Sequence, residues 1–404
     1  MNIAITGATG FVGSHLTARL LADGHRITAL VRDNPARALT RLSAALRSTD
    51  LPAELITSLG DRVRPVTVRL GEPCLGLGRA RLRLLAEELD TVWHCAAETG
   101  LEAESDLVRR VNVEGTRGVL DLADAGTRPL RVCHVSTAFV AGGRREGLVR
   151  EDELTDAHGF LCPYEESKYR AEQLVRRWAG QGERRRATVF RPSVLVTDRR
   201  LPRTAPRHPH AMLGSRLALV GLRGPASARR LLSGRTDEGL PGDDVTVWVE
   251  GPDDAVINVL PVEYAVGAMA YIGGLDQEPG VRTHHIVHPV DTPVRALMEA
   301  TSRLVPWLRV GLTGRGRDRA PGAHHLDSMA GGYHLYFGLT RRYVRAGLDA
   351  ADAARGVRPP APLDGDYLYS TLCSSLPHRT DPHSGAGAEE GFTQLSDLAD
   401  SASN

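Results

Sequence analysis

The sequence predicts an α/β protein built on a doubly wound parallel sheet, with a smaller lobe interleaved into the second half of the chain. Three observations predict it. Short β-branched runs alternate with amphipathic stretches through the first half. Glycines 7, 10 and 13 fall between the first such run and the first helical stretch. Hydrophobic residues make up 42% and charged residues 25% of 404 residues, enough apolar content to bury a large core.

Taken in order, strands are expected at 2–6, 26–31, 64–69, 91–95, 131–136 and 187–191. Between them, Val12, Leu16 and Leu20 share one helical face, and Leu107, Val111, Gly115 and Leu122 share another. After Ser193 the pattern breaks into a Pro-, His- and Arg-rich stretch, and short apolar runs resume near 256–260 and 284–287. The expected division is 1–195 for the sheet domain and 196–376 for the smaller lobe, with returns to the sheet near 256–290. A tail at 377–404, rich in Ser, Gly, Asp and Ala, has little to bury and is expected to be disordered.

Charge and cysteine content exclude several classes. Fifty basic and 49 acidic residues give a net charge of +1, with no global field to attract nucleic acid or an anionic membrane. Five scattered cysteines without a CxxC pair indicate neither a disulfide framework nor a zinc site. The histidine groups 208/210, 284/285/288 and 324/325 lack acidic or cysteine partners at metal-ligand spacing. No apolar run approaches the roughly 20 residues of a membrane span, and strand character from the first residues leaves no signal peptide, so a cytoplasmic protein is expected.

The opening NIAITGATGFVGSHL gives the first functional signal. Between a strand and a helix, Gly7 permits the tight turn, Gly10 lets backbone approach a pyrophosphate, and Gly13 lets the helix pack on the sheet. Thr9, Phe11 and Val12 flank the helix N-terminus, where free N–H groups favour an anion. This is the Rossmann arrangement for a dinucleotide. At the end of the second strand, where an acidic residue would hold an adenosine ribose, the chain reads Val31-Arg32-Asp33. Arg32 suits a 2′-phosphate and hence NADPH in preference to NADH; Asp33 as the ribose acid is the competing reading.

The second signal is PYEESKYRAEQLVRRW, which sets Tyr164 and Lys168 four residues apart on one helical face. A tyrosine beside an ammonium is a candidate proton donor, because the cation favours the phenolate. Lys168 is the chain's only lysine, the other 49 basic residues being arginines, which points to a place where an ammonium is needed. Upstream, VCHVSTAFVAGG ends a strand with Ser136 and Thr137; Thr137 is favoured as a hydrogen-bond donor to a substrate carbonyl, with Ser136 second. Asn112, in RRVNVEGT, has two open roles: holding a proton-relay water, or bridging backbone.

Together TGATGFVGSHL, VWHCAAETGL, VNVEGTRGVLDLAD, VSTAFVAG, YEESK, FRPSVL and INVLPVEYAVGAMAYI resemble the extended short-chain dehydrogenase/reductases. Within them the likeness is to the thioester-reductase and fatty-acyl-CoA-reductase branch, the male sterility-like proteins, over residues 1–300. The resemblance implies Thr137, Tyr164 and Lys168 for catalysis and Gly7, Thr9, Gly10, Gly13, Arg32, Ala96 and Pro192 around the cofactor. One departure stands out: the place of an aspartate that reads the adenine amine is taken by Arg69.

The implied activity is NADPH-dependent reduction of a carbonyl group on a bulky apolar acyl thioester or ketone. The substrate is a small molecule, free or delivered on coenzyme A or a carrier protein; no upstream adenylation or carrier segment is seen. Three other readings compete: a ketoreductase of a polycyclic natural-product intermediate, a sugar-nucleotide epimerase or dehydratase, and a non-catalytic dinucleotide sensor. Met212, Leu213, Leu217, Leu219, Val220, Leu222, Leu231, Leu232, Trp307, Tyr333, Tyr336 and Phe337 are expected to line the substrate pocket or, alternatively, to pack only on one another. Nine arginines from Arg199 to Arg235 read as a solvated surface, or as a landing patch for a phosphopantetheine or carrier protein.

Overall fold

A computed structural model describes residues 1–233, 244–314 and 332–376. The disordered tail expected at 377–404, the side chains of Leu231, Leu232 and Tyr333, Arg235 and the histidines 324 and 325 lie outside the described residues.

The first strand, β1 (Asn2–Thr6), runs into the glycine turn and then into helix α1 (Phe11–Ala22). Strands β2 (Arg26–Val31), β3 (Val63–Thr67), β4 (Thr91–His94) and β5 (Arg131–Val135) follow, each after a helical crossover. Two further strands, Arg186–Pro192 and Gly280–Ile286, complete a seven-stranded sheet. From one edge the order is β3, β2, β1, β4, β5, Arg186–Pro192, Gly280–Ile286, and every pairing is parallel. The sheet is therefore doubly wound, as expected, and its strand order reverses between β1 and β4, where a crevice opens at the carboxyl ends. That the seventh strand comes from 280–286 shows the chain returning to the sheet after the lobe begins.

Both faces of the sheet are covered. One core contains Ile3, Ile5, Leu16, Ile27, Trp93, Phe190 and the helix Val262–Gly274; the other contains Val92, Leu120, Leu122, Val132, Val175 and Trp178. Burial on both sides is why the central strands read as continuous apolar runs rather than alternating ones. A third core, around Val196, Ile257, Leu297, Tyr336, Phe337 and Leu368, belongs to the second lobe.

Leu107, Val111, Gly115 and Leu122 were expected to share one regular helical face, but Arg109–Glu114 is a π-helical segment between Ser105–Val108 and Gly115–Asp124. Asn112 lies in it, buried, and bonds to the loop after β4, as described below. The apolar set expected to line a pocket also divides. Leu213, Leu217 and Trp307 pack with Val245, Val247, Val305 and Leu308, and Leu222 remains 48% exposed. Tyr336 and Phe337 instead pack with Phe139 and Leu161, beside the site.

Candidate active site

The glycine turn is built by close backbone approach. Gly7 has φ +71°, and a Cβ there would stand 2.7 Å from Ala96 N, on the other side of the crevice. A Cβ on Gly13 would meet the Gly7 carbonyl oxygen at 2.0 Å, so α1 can sit against the turn only without a side chain there. Gly10 caps α1 in extended conformation, and its N–H donates to Gly7 O at 2.9 Å. Ala96, immediately past β4, donates its N–H to Thr6 Oγ1 at 3.1 Å. Thr9 is half-buried in the turn, and Phe11 and Val12 open α1 against the first core. The Phe11 ring also lies 5.1 Å from that of His208, joining the turn to the second lobe. Pro192 ends its strand, buried, opposite Ile286. These residues fit a dinucleotide: a glycine turn at a helix N-terminus, over a crevice at the point where strand order reverses.

At the outer end of β2, Arg32 is exposed, while the Asp33 carboxylate is engaged by Arg41 at 2.5 Å. Arg69 is turned to solvent and pairs with Glu72 at 3.3 Å, at a side-chain exposure of 73%.

Across the crevice, the helix Pro163–Gly180 begins on Cys162, with Pro163 in its first turn. It carries Tyr164 and Lys168 one turn apart, as their spacing predicts. The Tyr164 phenol lies near the Thr137 hydroxyl, whose presence favours the phenolate. Thr137 caps a short 3₁₀ turn, Ala138–Ala141, its Oγ1 accepting from Phe139 N–H at 3.2 Å. Burial pushes the Tyr164 phenol well above the usual range, against the influence of the nearby Thr137 hydroxyl. The acidifying influence expected from Lys168 is not what governs it. Lys168, 2% exposed, donates from Nζ to Val135 O at 2.6 Å, and burial lowers its own pKa to about 8, opposed by the nearby Glu172 carboxylate.

Ser136 is not placed to meet a substrate. Its hydroxyl donates to Glu172 Oε2 at 3.1 Å, inside the protein. Glu172 also accepts from Arg191 at 2.6 and 3.0 Å and from Arg176 at 2.9 Å; Glu172 and Arg191 are both fully buried. Burial opposes ionisation of Glu172, but the two guanidinium groups outweigh it and hold the carboxyl below its usual range. Arg191 further donates to the carbonyls of Glu151 and Glu153, tying the loop before the tyrosine helix to the sheet. Asn112 bridges backbone: Oδ1 accepts from Glu98 N–H at 2.7 Å, and Nδ2 donates to Glu98 O at 2.9 Å and to Ser167 Oγ at 2.8 Å.

Sequence reasoning missed Glu172 and Arg191. A signal existed, because Glu172 continues the face of Tyr164 and Lys168, where a charge must be buried and therefore paired. Of the candidate histidine groups, His208 and His210 meet Ser374 and Thr371, and His285 and His288 meet the carbonyls of Val344 and Ala361. Among the arginines suggested as a landing patch, Arg199 pairs with Asp50 at 2.7 Å and Arg200 meets Leu376 O at 2.5 Å. No helix among the described residues is long and apolar enough to cross a membrane.

A parallel sheet with a glycine crevice, facing a Tyr-Lys helix and a threonine hydroxyl, defines an NAD(P)-dependent oxidoreductase of the extended short-chain dehydrogenase/reductase type. The chain belongs to the male sterility protein family, whose profile matches residues 5–269. It is similar to an aldehyde reductase (lnaA) of Aspergillus flavus, 32% identical over 207 residues, covering 48% of this chain and 19% of that protein. An isonitrile lipopeptide synthase of Streptomyces coeruleorubidus is 32% identical over 183 residues, 45% of this chain and 12% of the other. The chain thus spans less than a fifth or so of the curated relatives it matches. Among solved structures, the terminal R domain from the myxalamid PKS-NRPS biosynthetic pathway superposes with a TM-score of 0.71 at 24% identity, over 92% of this chain and 90% of that one. UDP-glucose 4-epimerase from Bifidobacterium longum shares the fold at TM-score 0.61 and 17% identity, over 93% and 98%.

Proposed function

We propose that this chain is an NADPH-dependent reductase acting on the carbonyl carbon of a bulky, largely apolar acyl thioester, presented on coenzyme A or a carrier protein. The observation that carries this reading is the helix that sets Tyr164 and buried Lys168 one turn apart, beside the turn capped by Thr137. When bound, the nicotinamide supplies the hydride. Gly7, Thr9, Gly10 and Gly13, with the first turn of α1, hold the pyrophosphate, and Ala96 and Pro192 wall the crevice. The Lys168 ammonium would hold the nicotinamide ribose and favour the phenolate formed as the proton leaves. Thr137 and Tyr164 hold the substrate oxygen as negative charge develops on it, and Tyr164 gives up its proton.

A thioester is favoured over a free ketone because relatives named for nonribosomal peptide and lipopeptide synthesis match this same segment. The test supplies NADPH with a long-chain acyl-CoA, a carrier-bound acyl thioester, a polycyclic ketone and UDP-glucose, following cofactor oxidation and products. Thiol release with aldehyde or alcohol is the expected result. Reduction of the ketone alone would make the protein a ketoreductase, and conversion of the sugar nucleotide without net NADPH consumption would make it an epimerase.

The preference for NADPH rests on Arg32, exposed at the end of β2, while Asp33 is taken up by Arg41. A charge-assisted bond from the guanidinium to a 2′-phosphate is worth about 1.5–3 kcal/mol. Arg32→Ala is therefore expected to weaken NADPH binding about tenfold or more and to leave NADH binding unchanged, by fluorescence titration. Equal affinity of the parent for the two cofactors would refute it.

A further inference from the structure

At the carboxyl ends of β1 and β4, where the crevice opens, a set of buried polar groups has no part in the reaction outlined above. Thr6 and His94 end these two strands as register partners, and both are buried, as is Thr116 from the helix Gly115–Asp124. The His94 ring meets a hydroxyl on each side: Nδ1 stands 2.8 Å from Thr6 Oγ1, and Nε2 stands 3.0 Å from Thr116 Oγ1. The neighbours of those hydroxyls decide which way each bond runs. Thr116 Oγ1 donates its one proton to Asn112 O at 2.6 Å, so toward His94 it can only accept, and Nε2 carries the ring proton. A neutral imidazole then has a lone pair on Nδ1, which accepts from the Thr6 hydroxyl, while Thr6 Oγ1 accepts in turn from Ala96 N–H at 3.1 Å. A proton on both ring nitrogens would deprive the Thr6 hydroxyl of its acceptor. Burial keeps the ring neutral, lowering its pKa to about 3, and the charge of Lys168 acts in the same direction. The other ionisable group against it is His134 on β5, with ring centroids 5.4 Å apart.

The two ends of this series lie in the two halves of the site. Ala96 is the wall that Gly7 approaches so closely that a Cβ would stand 2.7 Å from its N. At the other end, Asn112 holds the backbone of Glu98 and donates from Nδ2 to Ser167 Oγ at 2.8 Å; Ser167 Oγ donates to Tyr164 O at 2.7 Å. Bonds of one direction thus join the glycine turn to the first turn of the tyrosine helix, with His94 between them.

We propose that His94, with its single ring proton on Nε2, is a positioning residue that holds the glycine turn and the tyrosine helix at one separation, Nδ1 serving the cofactor side and Nε2 the tyrosine side. The proposal rests on the reading of that turn as the cofactor seat and of Tyr164 as proton donor. Reacting groups held in place gain rate only within a narrow range of distance and angle, so a slack bond on the tyrosine side costs turnover and one on the turn side costs cofactor binding.

Two substitutions separate the halves. In His94→Asn the amide oxygen takes the place of Nδ1 and keeps an acceptor for Thr6, while Nε2 has no counterpart. In His94→Gln the amide N–H takes the place of Nε2 and keeps the donor to Thr116, while Thr6 loses its acceptor. His94→Gln is expected to weaken NADPH binding about five- to tenfold by fluorescence titration. His94→Asn should leave that affinity unchanged and lower kcat by about the same factor, the scale of one buried hydrogen bond lost. A residue that only fills the core would move both quantities together in both variants. Thr6→Val and Thr116→Val, which each remove one hydroxyl, should reproduce the Gln and Asn results in turn, and serve where a ring replacement fails to fold. A further readout needs neither substrate nor cofactor. In 15N NMR of histidine-labelled protein, with His94→Gln assigning the signal, Nε2 should be protonated and Nδ1 bare, with no titration across about pH 5 to 8, where an ordinary imidazole changes charge. If that tautomer and the affinity split are found while no carbonyl compound is reduced, the assignment of His94 stands and the reductase reading fails. A proton on Nδ1, a titrating ring, equal affinity losses in the two variants, or undiminished carbonyl reduction by His94→Asn overturns the proposal.

Discussion

Tyr164→Phe is expected to cut turnover by about 10²-fold or more while leaving affinity for the nicotinamide cofactor nearly intact, the scale of a lost general acid. The substitution keeps the ring on the helix Pro163–Gly180 and removes only the hydroxyl, so binding in the glycine crevice is expected to be undisturbed. Lys168→Arg should fail to a similar degree although it keeps the charge. Nζ is buried between the tyrosine helix and β5, with a 2.6 Å bond to Val135 O, and a planar guanidinium has neither the size nor the donor geometry for that place. Steady-state rates with NADPH, and titration of cofactor fluorescence in both variants, measure the two halves of the expectation. Near-parental turnover in either variant would contradict the roles given to these residues.

The second large effect is on stability. Arg191→Met is expected to destabilise the fold by about 3–5 kcal/mol, because it leaves Glu172 charged and buried with only Arg176 and Ser136 as partners. Two loop carbonyls, of Glu151 and Glu153, lose their donor at the same time. The sign of the pH dependence follows from Glu172. Its carboxyl is held below the unfolded value, so the pair's contribution is present above the usual carboxylate range and is lost as pH falls through the lowered value. The gap between parent and variant in urea unfolding should be widest at neutral pH and narrow in acid. A gap under about 1 kcal/mol at neutral pH would show that the buried pair carries little of the fold's stability.

Much of the scaffold was legible because its causes are local. β1 and β2 fall on the residues their apolar runs indicate, since strands buried on both faces are written as uninterrupted hydrophobic segments. Gly7 and Gly13 could be assigned from spacing because a turn that must approach Ala96, and a helix that must approach Gly7, both exclude a side chain. The shared face of Tyr164 and Lys168 follows from helical periodicity alone.

Neighbouring residues posed the harder choices. Ser136 and Thr137 are both hydroxyls at a strand end, and successive strand residues point to opposite sides. Only the position of Glu172, reached through packing of the helix on the sheet, decided that Ser136 faces inward. The two roles open to Asn112 were separated by the path of the loop after β4, which brings Glu98 to its amide. The third strand was expected at 64–69 but occupies Val63–Thr67, and from Val68 the chain turns toward Leu75 through backbone bonds unrelated to β propensity.

What the chain encodes locally is thus the sheet, the glycine turn and the Tyr-Lys helix, because turn geometry and side-chain period depend on near neighbours. What tertiary structure decided is which polar groups share an interior. The meeting of Ser136 with Glu172, and of Glu172 with Arg191, joins residues separated in sequence whose burial depends on how the tyrosine helix packs on the sheet. Desolvation then determines which groups are held neutral and which are paired, and no periodicity in the sequence records that choice.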